Sequence, residues 1–110
     1  MMKKALLLLM VLFMCGCACA SIAKKNNEMM LMLNIGQSKD EIMKLMGKPV
    51  KNEKYTIGGS EMDVWYFRTD CDIWDWDDDD LTPMVFKNGQ LIGWGSDLYL
   101  REVEYKSGLK

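Results

Sequence analysis

The chain has 110 residues, with 14 basic and 16 acidic side chains, a net charge of −2, 49% hydrophobic residues, four cysteines and no histidine. A chain of this length folds as one domain with a modest core. Its acidic balance excludes nucleic acid as a partner, and the lack of imidazole excludes Ser-His-Asp and Cys-His catalysis.

Met1-Met2-Lys3-Lys4 is a short basic segment, and Ala5 to Met14 is an unbroken apolar run, the layout of an export signal. That run falls well short of the about 20 apolar residues that a permanent membrane-spanning helix needs. It ends in Met14-Cys15-Gly16-Cys17, which resembles a bacterial lipobox: an apolar residue at −3, a small residue at −1, then the cysteine that receives diacylglycerol. Cys17 is the expected mature N-terminus, and Cys19, after Ala18, is the second choice because it puts Gly16 where an apolar side chain is wanted. An ordinary cleaved signal, cut after Ala18 or Ala20, is the alternative. The expected division is a lipoprotein signal peptide over 1–16, a lipid-anchored tether over 17–27 and the folded domain over 28–110.

Losing Lys3 and Lys4 with the signal leaves 12 basic against 16 acidic residues, net −4. Membrane attachment is therefore expected from acyl chains, at about 0.8 kcal/mol per buried methylene, rather than from charge. With Cys15 removed and Cys17 acylated, Cys19 and Cys71 are left free to pair, as an oxidising compartment allows. Nothing in the sequence brings those two cysteines together.

Ala20 to Asn27 is polar and lacks periodic apolar positions, so it reads as tether. Glu28-Met29-Met30-Leu31-Met32-Leu33, capped by Asn26 or Asn27, reads as a first short helix whose methionines belong to the core more readily than to an adaptable surface. Ser38-Lys39-Asp40-Glu41 is a capping box opening a second helix. Ile42, Leu45 and Met46 share one face of it, Gly47 is placed for a left-handed C-terminal cap, and Pro49 prevents continuation. Glu53 to Ile57 and Met62 to Thr69 read as strands around Gly58-Gly59-Ser60-Glu61. Pro83 to Lys87 and Gln90 to Trp94 flank Asn88-Gly89, the strongest short hairpin signal. Gly93 and Gly95 leave little side chain on the last strand, which predicts a bulge or a close strand-to-helix contact ahead of backbone approach by a partner. Ser96 to Lys110 fits a short helix and an edge strand equally.

The segment from Asp70 to Asp80 is the most unusual. It carries Asp70, Asp72, Asp75, Asp77, Asp78, Asp79 and Asp80 with Cys71, Trp74 and Trp76. Like charges at this density are expected in a solvated loop unless a cation or a basic protein surface neutralises them. Carboxylate clusters suit calcium, although this one lacks the EF-hand spacing. Trp74 and Trp76 alternate with acids, as in an interaction loop or in a loop anchored by its own tryptophans.

Leu33 to Ile42, then Leu45-Met46-Gly47-Lys48-Pro49, resembles the SmpA/OmlA-type domain of small outer-membrane lipoproteins, the class that includes the smallest accessory lipoprotein of the barrel-assembly machinery. Trp65-Tyr66-Phe67-Arg68-Thr69 and Leu81 to Gly95 are similar still more closely to an uncharacterised lipoprotein family of the same fold. The resemblance implies a two-layer α+β domain, with two short N-terminal helices on a three- to four-stranded antiparallel sheet. It implies no catalytic centre and no cofactor beyond the covalent lipid. It also implies a scaffold holding another envelope protein or lipid at the periplasmic side of the outer membrane. Ala18, following Cys17, is not the aspartate of inner-membrane retention, in keeping with that site. The runner-up is a calcium- or ligand-binding module using the loop 70–80. For an enzyme only Asp63, Asp70 and Arg68 offer an acid, a base and a clamp, and they read instead as a solvated strand face.

Overall fold

A computed structural model describes residues 18–71 and 80–107. The signal peptide and Cys17 lie outside the described residues, as do Asp72, Trp74, Asp75, Trp76, Asp77, Asp78 and Asp79. The expected α+β class holds. Helix α1 covers 18–30 and α2 Lys39–Met46, followed by β1 (Lys51–Ile57), β2 (Ser60–Arg68), β3 (Leu81–Lys87) and β4 (Gln90–Trp94). The four strands form one antiparallel sheet in the order β1-β2-β3-β4. None of the described helices is long and apolar enough to cross a membrane.

Local chemistry accounts for most of these elements. Ser38 Oγ accepts from the Glu41 amide at 3.2 Å, Asp40 and Glu41 fill the first turn of α2, and Lys44 lies in its last. Gly47 takes φ 80° and ψ −163°: positive φ as expected, but extended rather than left-handed helical. Asn88 and Gly89, at φ 50° and 82°, close the β3–β4 hairpin, since both residues of such a turn need positive φ. Asn88 also reaches across the sheet, where its Oδ1 accepts from the Glu61 amide at 2.9 Å.

Alternation along β2 sends its side chains to two different cores, which is why Met62 to Phe67 are all buried. On one face Trp65 and Phe67 join Met84, Phe86 and Leu91 under Met30, Leu33, Ile42 and Met46 from the helical side. On the other, Met62, Val64, Tyr66 and Val85 pack with Val103, Leu98 and Tyr99. That second cover is the C-terminal segment: α3 (Ser96–Tyr99) continues through the π-helical Leu100–Glu104 into α4 (Tyr105–Ser107). Its sequence is compatible with helix or strand, and burial of Val103 on an already complete sheet selects helix.

Two local expectations are overturned. Residues 20–27 are helical and not tether, with Ala23 and Asn26 turned inward. The helix expected over Glu28 to Leu33 is instead the end of α1, with Leu31 and Met32 in a turn and exposed while Met30 and Leu33 are core. Asn26 and Asn27 cap nothing. Gly93 shows both features expected of it: β4 bulges opposite Val85, and Leu98 approaches so closely that a Cβ on Gly93 would lie 2.6 Å from Leu98 Cδ2.

Candidate functional site

The described residues bring chemistry together most densely where α1 meets the end of β2. Cys19 and Cys71 are joined by a disulfide, with their Cα atoms 5.9 Å apart. About two turns further along α1, Asn26 Nδ2 donates to the Arg68 carbonyl and Asn27 Nδ2 to the Thr69 carbonyl, each at 2.8 Å. These carbonyls lie at and just beyond the end of β2, so the asparagines extend the sheet's hydrogen bonding onto a helix. Their partners are 42 residues away in sequence. No local pattern marks these contacts, because residues 20–27 lack the periodic apolar positions of a packed helix.

The same junction closes the neck of the acidic loop. The Thr69 and Asp70 amides both donate to the Asp80 carbonyl, at 3.0 and 3.2 Å, and the Thr69 and Thr82 hydroxyls share a hydrogen bond of 2.6 Å. Asp80 is a correction to the solvated loop: it is 6% exposed, and its Oδ2 lies 3.9 Å from Arg68 Nη1. An arginine at that distance compensates a buried carboxylate and disfavours a cation in the same place. Asp70 stays exposed, with its Oδ1 accepting from the Cys71 amide at 2.8 Å. Among the described residues no group of three or more His, Cys, Asp or Glu side chains could hold a metal ion.

Asp63, expected on a solvated face, is 4% exposed and ion-paired with Lys39 at the start of α2. The pair pins that helix to the sheet beside an open depression of about 230 Å³ whose walls include Lys54, Thr56 and Glu61. Asp63 and Arg68 stand on opposite faces of β2 by alternation, so they do not form the acid and clamp of one site.

A second polar cluster lies under the C-terminal segment. Tyr55 donates to Glu53, the Tyr66 and Tyr99 rings meet edge-on at 6.3 Å, and Lys51 Nζ stands 4.8 Å from the Tyr66 ring centre. Burial, then hydrogen bonding with Tyr99 and the charge of Glu53, push the Tyr66 phenol well above its ordinary value of 10.0. Burial and Glu53 do the same to Tyr55. Burial alone would raise the Glu53 carboxyl, but hydrogen bonds from Tyr55, Lys51 and Tyr66 outweigh it and hold that group below its ordinary value. A tyrosine with a raised folded pKa stabilises fully below its unfolded pKa and loses that contribution as pH climbs toward the folded one. Stability is therefore expected to fall once pH passes about 10, where tyrosines of the unfolded chain ionise first. Urea melts from about pH 8 to 11 on wild type and Tyr66→Phe check this. A wild-type midpoint that holds steady, or one that falls equally in the variant, contradicts it.

These features define a small α+β domain whose N-terminal helix is stapled to its sheet by one disulfide and two asparagines. The chain belongs to the family described as "Protein of unknown function (DUF3192)", whose pattern matches residues 20–101. That match begins within the described part of α1. No curated protein and no solved structure matches the chain.

Proposed function

We propose that this protein is an envelope lipoprotein, anchored by acyl chains on Cys17, that acts as a non-catalytic scaffold for another envelope protein at the periplasmic side of the outer membrane. The observation that carries the reading is the Cys19–Cys71 disulfide. Disulfides persist in oxidising compartments, which favours export over the cytosol. The same bond consumes Cys19, the second choice for acylation, and leaves Cys17 as the cysteine of the lipobox-like Met14-Cys15-Gly16-Cys17. The SmpA/OmlA-type resemblance and the absence of histidine support a scaffold over an enzyme. The helical side leaves Ile22, Leu31, Met32, Ile35, Met43 and Val50 exposed, apolar surface on which a partner can pack.

The test is a pull-down of the full-length protein from detergent-solubilised membranes, read by mass spectrometry for its own N-terminal mass and for its companions. Acylated Cys17 with a co-purifying envelope protein is the expected result, and Cys17→Ser is expected to move the protein from the membrane to the soluble fraction. A variant that stays membrane-bound, or an acylated protein recovered alone, contradicts the anchor or the scaffold respectively.

A further inference from the structure

We propose that the Cys19–Cys71 disulfide is a redox latch that decides whether residues 18–30 form a docked helix or a flexible leash. Two features of the segment point this way. Residues 20–27 of it lack the periodic apolar positions by which a helix packs, yet they are helical, so what docks them comes from elsewhere in the chain. What holds it is sparse. Among its thirteen described residues only Ala23, Asn26 and Met30 are buried, with Cys19 and Met29 partly so. Thirteen helical residues by themselves are marginal in water, so the described part of the helix depends on its contacts. The remaining attachments are the two asparagine hydrogen bonds to the end of β2 and the disulfide itself, which sits near the start of the described helix, away from Met30.

Both sulfurs belong to residues that are half-exposed, so a thiolate can reach them. The step is thiol–disulfide exchange with a dithiol reductant. One thiolate of the dithiol attacks a sulfur of the Cys19–Cys71 bond and forms a mixed disulfide, releasing the other cysteine as a thiolate that takes up a proton. The second thiol of the dithiol then displaces the remaining cysteine. The products are two protein thiols and one oxidised dithiol, and the two electrons and two protons have moved from the dithiol to the protein. Freed of that bond, the segment keeps too little apolar contact to remain docked, and Met30 withdraws from its cluster.

The consequence for reach rests on the acylated Cys17 proposed above, while the latch does not. When the latch is closed, the disulfide at Cys19, two positions after Cys17 in sequence, ties the segment next to the anchor to the neck of the loop. Once it opens, thirteen residues of leash span at most about 45 Å when fully extended, enough for the domain to leave the bilayer surface.

The experiment is hydrogen exchange on the full-length protein in detergent micelles, resolved by peptide, with and without a phosphine reductant and in the Cys71→Ser variant. Amides of 18–30 are expected to exchange on the order of a hundredfold faster after reduction, while β2 and β3 keep their protection. Trypsin is then expected to cut after Lys24 or Lys25 under conditions that spare the oxidised chain. Unchanged exchange in 18–30 overturns the latch, and so does a loss of protection that extends through β2 and β3, which would make the bond a staple of the whole fold. The intact N-terminal mass is read in the same samples. A chain that releases its helix but carries no acyl group removes the leash and the anchor while leaving the latch standing.

Discussion

Phe86→Ala is expected to lose about 3–5 kcal/mol of folding stability. Phe86 is fully buried, and its ring centre lies 4.7 Å from that of Trp65. It sits in the cluster that the sheet and both N-terminal helices share, so the space it vacates is walled by separate elements that cannot all move inward together. A domain of this size has about 5–15 kcal/mol in total, so the variant is expected to be partly unfolded at physiological temperature. The check is a urea melt beside Met32→Ala, whose side chain is 66% exposed and whose midpoint is expected to move by no more than about 0.5 kcal/mol. Equal shifts in the two variants would mean that the cluster is not the core.

Gly93→Val is expected to cost about 2–4 kcal/mol through two separate causes. Gly93 has φ 147°, a backbone conformation that side-chain-bearing residues rarely adopt, and its missing Cβ is the space that Leu98 fills. Adding the side chain strains the bulge of β4 and drives Leu98 away from the sheet, loosening α3 and with it Tyr99 against Tyr66. The two causes separate in a double-mutant cycle with Leu98→Ala. Favourable coupling is expected, because the smaller residue relieves the collision, but recovery is expected to be incomplete because the φ strain remains. Simple additivity would show that Leu98 does not depend on this glycine.

What was legible from sequence was whatever neighbouring residues determine among themselves. Ser38 and Glu41 are three positions apart, and Asn88-Gly89 fold the chain back within one turn, so the cap of α2 and the β3–β4 hairpin follow from local chemistry. The alternating pattern of β2 located its strand, but the two-layer arrangement expected for the domain left out the cover that Leu98, Tyr99 and Val103 give the second face. The candidate site was legible only in its parts. Cys19 and Cys71 stand out by type, but their pairing requires α1 to run along the end of β2, a placement with no signature in either segment.

The same distinction governs the charges. By composition Asp80 is one acid in a repelling run, and by alternation Asp63 is one polar residue on a strand. The fold buries both and sets Arg68 near the first and Lys39 against the second, compensations that span 12 and 24 positions of sequence respectively. The sequence by itself determined the sheet, its hairpins and α2, because backbone hydrogen bonding and capping are satisfied by close neighbours. Only the tertiary structure decided that residues 20–27 are helix, that the C-terminal segment covers the second face, and that the disulfide closes. Each of these depends on a surface or a partner that exists only once the sheet has formed.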